Sequence, residues 1–361
     1  MIGFTLARYF LRRYAVIAAG NFIGIAALIF VVSFTEISGR SSDLDGYSAD
    51  WALGLAALQL PMIMLQAVPF IGLIAAMATL ISLNRKYELV IARAAGISAW
   101  QFLTPICAGA FIFGLLSVVL LNPLAANGFA RAQALEAEVR GASSALNGER
   151  EQWINQRTDE GQTVIGAETT LDGGQTLVRP VFLLMDDQGR ITQRLDAERA
   201  RLRDGHWELT SVTRRQGTLT PERLETVSVP TNLQPRYLGY QLTDPEAVSV
   251  FDLPTMVEVA RSLGLRANAF AMQFQSLVTL PPLLVAMTLI AATVSMRFNR
   301  MGLSVVVILG GIISGFLLYV VSVLVRAFGS AGFMPPTVAA WTPVLAAMFF
   351  GITFLLFKED G

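Results

Sequence analysis

The 361-residue chain offers one histidine, His206, and one cysteine, Cys107. A zinc site takes three or four nitrogen, sulfur or carboxylate ligands, and a thiolate nucleophile takes a histidine beside it. His206 precedes a strand-like stretch and reads as a turn residue. Cys107 lies inside an apolar run, and a single cysteine forms no intrachain disulfide. Gly310, Gly311 and Gly315 also fall in an apolar run and read as helix-packing residues. No G-x-x-x-x-G-K-[ST] phosphate loop occurs. The expectation is a protein that is not an enzyme, with no catalytic, cofactor-binding or metal-ligating residues, and that hydrolyses no nucleotide itself.

The segment Arg85-Lys86-Tyr87-Glu88-Leu89-Val90-Ile91-Ala92-Arg93-Ala94-Ala95-Gly96-Ile97-Ser98 has a different chemistry. It predicts a short helix ended by Gly96, with charges at both ends and an apolar side that includes Leu89, Ile91 and Ala92. Two uses fit such a helix. It can lie on a membrane surface as a connector, or it can protrude as a knob into the groove of a motor subunit.

The elements that must position this segment follow from where charge is missing. Only 15% of residues are charged, against roughly 25% in an average globular chain. Charge-free runs cover Tyr14–Thr35, Trp51–Asn84, Ala94–Ala130, Ala267–Met296, Met301–Val325 and Ala327–Phe357. Each exceeds the roughly 20 residues that cross a hydrocarbon core, and none shows the polar face of a soluble helix. The expected spans are 14–36, 53–83, 100–122 (ending at Asn122-Pro123), 273–296, 303–326 and 337–357. Residues 2–13 predict a separate amphipathic interfacial helix, with Leu6 and Phe10 on one face and Arg8 and Arg12 on another.

Residues 127–270 hold 36 of the 54 charged residues, so the soluble part of the chain lies there. A charged helix over 128–141 leads into β-rich segments broken by Asp172-Gly173-Gly174, Asp186-Asp187-Gln188-Gly189 and Asp204-Gly205. This argues an antiparallel meander, sandwich or jelly roll. Alternation in WELTSV places Trp207, Leu209 and Ser211 on one face and Glu208, Thr210 and Val212 on the other. A helix over 254–264 returns the chain to the membrane. The fold class is thus a polytopic α-helical membrane protein with six transmembrane helices and an inserted periplasmic β-jellyroll-like domain. Its parts are 1–126 (interfacial helix, three spans and the short helix about 85–98), 127–268 (the β domain) and 269–361 (three spans).

Arg8, Arg12, Arg13, Arg85, Lys86, Arg93, Arg297, Arg300 and Lys358 cluster on one side of these spans, against Arg40 and Arg326 on the other. The positive-inside rule then puts both termini in the cytoplasm and the β domain outside. No span carries an ionisable residue at its middle, which argues against an ion-coupled pump.

Four segments carry a resemblance. The run NRKYELVIARAAGISAWQF resembles the ELxxxRAAGxS segment of the lipopolysaccharide-export permease family LptF/LptG, which pairs it with a Pro-rich second span, as Pro61 and Pro69 do here. GHWELTSV at 205–212 is similar to that family's G-x-W-x-L-x-x-V strand. RFNRMGLSVVVILGG and GSAGFMPPTVAAWTPVL at 329–345 resemble the LptG branch.

The resemblance implies a permease subunit of an ABC-type complex that moves lipopolysaccharide from the periplasmic leaflet of the bacterial inner membrane toward the outer membrane. It implies a heterodimer with an LptF-like permease subunit, an LptB-like ATPase dimer beneath it and an LptC-like periplasmic protein. Glu88 matches the acid that pairs with a basic residue of the ATPase. Tyr87, Leu89 and Arg93 flank it, and Gly96 caps the helix. Arg40 and Arg131 are placed for lipid A phosphates, which guanidinium groups engage bidentately. Phe22, Phe30 and Phe34 are candidates for an apolar cavity wall, with lipid-facing or helix-packing roles as the commoner use of such rings. A different class of function also fits the layout: a non-transporting scaffold that recruits periplasmic partners through its β domain. Recovery of a nucleotide-binding subunit separates the two.

Overall fold

The computed structural model describes residues 4–41, 48–147, 152–158, 161–167, 169–171, 176–186, 190–203, 205–216, 221–231, 245–262, 267–295 and 305–359. The chain divides into two compact units. One comprises Met1–Leu135, Pro245–Val257 and Asn268–Gly361, the other Glu136–Asp244 and Glu258–Ala267. The basic pair Arg297 and Arg300, the turn residues Asp172–Gly174 and Asp187–Gly189, and Asp204 lie outside the described residues.

Helices α1 (Phe4–Ser41), α2 (Ala49–Arg85), α3 (Glu88–Ala94), α4 (Ala99–Leu116), α5 (Asn122–Asn147), α6 (Leu253–Ser262), α7 (Ala267–Val278), α8 (Leu280–Ser295), α9 (Val305–Ser330) and α10 (Pro336–Glu359) follow in order. Among the described residues, five helical stretches are long and apolar enough to cross a bilayer, and α7 with α8 makes a sixth if the bent pair is one span. Helix α2 packs on α1 and α8, and α8 packs on α4, α9 and α10. Close approach needs small residues. A Cβ on Gly114 of α4 would lie 2.6 Å from Pro281 Cα of α8, and one on Gly315 of α9 would collide with Leu73 of α2. Gly311 likewise meets Met77 and Val294, whereas Gly310 faces open space.

Three expected boundaries differ. Residues 4–13 are the first turns of α1 rather than a separate helix. No proline interrupts the rod, and Phe10, Tyr14 and Ala18, four residues apart, form one buried stripe across the expected junction. Asn122-Pro123 does not end a helix. Pro123 has no N–H to give the preceding turn, and a π-helical turn, Ser117–Leu121, absorbs it, so α4 continues into α5. Asn122 is fully buried there, and its Oδ1 accepts a 2.7 Å bond from Val250 N–H. The fourth span is broken instead. Pro281 and Pro282 remove two helix donors, and α7 and α8 meet at Thr279 with a 50° bend. Thr279 Oγ1 donates toward the carbonyls of Gln275 (3.0 Å) and Ser276 (3.1 Å).

The second unit holds an antiparallel sheet. Its described strands are β1 (Gln152–Thr158), β2 (Gly161–Ala167), β3 (Thr169–Leu171), β4 (Thr176–Val178), β5 (Val181–Met185), β6 (Ile191–Asp196), β7 (Arg199–Arg203), β8 (His206–Arg215) and β9 (Glu222–Pro230). The order is β1-β2-β5-β6-β8-β7-β4-β3, and β9 pairs with β8. Trp207 fills the core edge-on to Phe182, with ring centroids 6.2 Å apart, beside Leu209, Leu195 and Ile165. The expected alternation holds through Leu209 and then inverts. Ser211 adopts a left-handed φ of 56°, so Ser211 faces out and Val212 joins the core. Pairing with β9 keeps the same offset on both sides, Thr210 with Thr226 and Val212 with Leu224.

Candidate functional site

The segment 85–98 folds as the sequence predicts, and its geometry shows what each residue does. Tyr87 adopts a left-handed backbone (φ 59°) with no side-chain cap, which reverses the chain sharply after α2. Helix α3 then runs only seven residues. Gly96, at φ +80°, closes it. Its N–H bonds the Arg93 carbonyl at 2.9 Å, and Ile97 N–H bonds the Ala92 carbonyl at 3.0 Å. This is a Schellman end, which needs the left-handed residue that glycine adopts without strain.

The helix has two unlike faces. Leu89 is buried in the same cluster as Phe10, Leu83, Ala99 and Phe102, and Ala92, three residues on, is buried as well. Burying a leucine side chain contributes about 1.5–3 kcal/mol, so the underside holds this short helix to the bundle. Leu89 therefore anchors the helix. The opposite face presents Tyr87, 62% exposed, and Ile91, 65% exposed. The Arg93 guanidinium lies 5.9 Å from the Phe102 ring centroid, a cation–π position.

Glu88 opens the helix, where a carboxylate complements the helix N-terminus. Its Oε2 accepts a 2.9 Å hydrogen bond from Tyr9 Oη. Arg13 donates to the same Tyr9 Oη at 2.9 Å and to Ser82 Oγ at 2.6 Å. Arg13 Nη1 stands 3.9 Å from Glu88 Oε1. Sequence reasoning missed Tyr9 and Arg13. They are spaced i,i+4 on α1, which was the available signal, but Glu88 lies 79 residues beyond Tyr9.

The remaining candidates do not converge on one surface. Phe22 lines a cleft of about 640 Å³ between α1 and α4, walled by Leu11, Ala15, Ala18, Gly109 and Leu120 among others. Its ring meets Phe113 edge-on at 6.1 Å. Phe30 and Phe34 pack instead on Ile37, Ala52, Leu55, Ala56 and Ala132, a helix-to-helix contact. Arg40, in the last turn of α1, and Arg131, in α5, are both exposed.

A comparison with protein families matches residues 8–357 to the lipopolysaccharide export system permease LptF/LptG. The chain belongs to the LptF/LptG family. Two curated relatives, the LptG proteins of Escherichia coli strain K12 and of Escherichia coli O6:H1, are each 25% identical to it over 349 residues. That alignment covers 94% of this chain and 93% of each relative. As an LptF/LptG protein it is a multi-pass inner-membrane permease rather than a catalytic enzyme. The α3 knob coincides with the ELxxxRAAGxS segment.

Proposed function

We propose that this chain is the LptG-like permease subunit of an ABC-type lipopolysaccharide exporter. In this reading it pairs with an LptF-like subunit, with an LptB-like ATPase dimer on the cytoplasmic side and an LptC-like protein in the periplasm. Both termini lie in the cytoplasm and the sheet unit in the periplasm. Each lipid CH₂ drawn out of a bilayer costs about 0.8 kcal/mol, so a multi-acyl lipid needs an external source of work. ATP hydrolysis in the partner supplies it, and Arg40 and Arg131 meet the anionic headgroup.

The observation that carries this reading is the two-faced helix α3. Leu89 and Ala92 fix it to the bundle, while Tyr87 and Ile91, beside Glu88, are offered to a partner. A surface connector would turn its apolar residues to one side only. Ile91→Asp or Glu88→Lys in the full complex should lower recovery of the ATPase subunit by more than about tenfold, the size of a hot-spot loss, while the permease still inserts. Wild-type recovery of the ATPase with both variants would refute the docking role of α3.

A further inference from the structure

We propose that Tyr9 and Arg13 are positioning residues that tie helix α3 to α1 and so pass the motion of the docking knob to the wall of the apolar cleft. The inference rests on the reading of α3 as the docking helix. The tie is polar on one side of α3 and apolar on the other. Glu88 is held by Tyr9 Oη at 2.9 Å, and Arg13 bridges Tyr9 to Ser82 of α2. On the apolar side, Phe10 of α1 shares a cluster with Leu89 of α3 and sits edge-on to Phe102 of α4, 6.4 Å between centroids.

These contacts stand on the same helix as the cleft. From Phe10 the buried stripe continues at four-residue steps to Tyr14 and Ala18, and Tyr14, Ala18 and Phe22 line the cleft against α4. The connection from knob to cleft is one unbroken helix with hydrogen-bonded turns, so a shift of its beginning is carried toward residues 14–22. Helix α3 lacks a capping side chain at Tyr87, so its first turn is fixed by buried Leu89 beneath it and by the contact that Glu88 makes with α1. A carboxylate bonded to a phenol and facing a guanidinium is a charge-assisted arrangement, stronger and more directional than a neutral pair. Glu88 remains partly accessible, with 28% of its side chain exposed, so a partner's basic group can approach it without displacing Tyr9.

The test uses the assembled exporter in vesicles with its ATPase, reading lipopolysaccharide released per ATP hydrolysed. Tyr9→Phe removes one exposed hydroxyl and Arg13→Leu removes the guanidinium. Both complexes should retain the ATPase subunit and hydrolyse ATP, while lipid released per ATP falls about fivefold or more for Arg13→Leu. Arg13→Lys, which keeps a cation facing Glu88, should restore most of it. An unchanged ratio in both Tyr9→Phe and Arg13→Leu overturns the inference and leaves the docking reading, which Ile91→Asp decides, untouched. Loss of the ATPase subunit from the Tyr9→Phe complex also overturns it, because Tyr9 would then be part of the docking surface.

Discussion

The helical unit and the sheet unit bury their interiors by opposite rules. In the sheet unit the largest apolar groups, Trp207 and Phe182, are inside, and the surface carries ion pairs such as Asp196 with Arg194 (2.8 Å) and Arg215 (3.4 Å). In the helical unit the outside is apolar too. Leu317 is 61% and Phe350 71% exposed, while the contacts between helices run through Gly114, Gly311 and Gly315. Water sorts residues by polarity, whereas a hydrocarbon surround removes that sorting and leaves shape as the discriminator. The same substitution therefore has opposite consequences in the two units.

The contrast is broken most severely by emptying the sheet core. Trp207→Ala should destabilise the sheet unit by about 3–5 kcal/mol, seen as protease sensitivity of the region around residues 176–231 with the helices still inserted. Next comes a charge on the apolar exterior. Leu317→Arg in α9 should cost about 2.5–3.5 kcal/mol of insertion free energy, measurable in a membrane-insertion assay as loss of the spanning fraction. The smallest effect belongs to the wet surface. Arg215→Ala removes one partner of Asp196 while Arg194 remains, and should change thermal stability by less than about 1 kcal/mol. A large loss from Arg215→Ala, or a neutral Leu317→Arg, would erase the distinction between the two surrounds.

Much of this architecture is legible in the sequence because exclusion of charge from a bilayer is a property of whole segments. The spans and the soluble insertion follow from where Asp, Glu, Lys and Arg stop. Helix α3 is legible for a local reason, since Gly96 three residues after Arg93 specifies its end. What the sequence hides is relational. Leu89 and Ile91 are two apolar residues of one short helix, yet one is an anchor and the other is offered to solvent. Phe22, Phe30 and Phe34 share a helix, but Phe22 meets α4 and the other two meet the cluster around Leu55. The tie from Tyr9 to Glu88 joins residues 79 apart in the chain, and the i,i+4 spacing of Tyr9 and Arg13 does not announce that partner. The break at Thr279 had a local signal in Pro281-Pro282, and the continuation through Pro123 shows why that signal is ambiguous: one proline can be absorbed by a π turn, and two in a row are not.

The unbroken run of α1 has a mechanical corollary. Its 38 residues extend about 57 Å at 1.5 Å per residue, nearly twice the roughly 30 Å of a hydrocarbon core. Such a rod is a lever that overhangs the bilayer. Pivoting it by about ten degrees around one end sweeps the other through roughly 10 Å, enough to widen or shut a gap the width of a helix. A small nudge on the first turns, near Tyr9, would thus arrive magnified around Ser41.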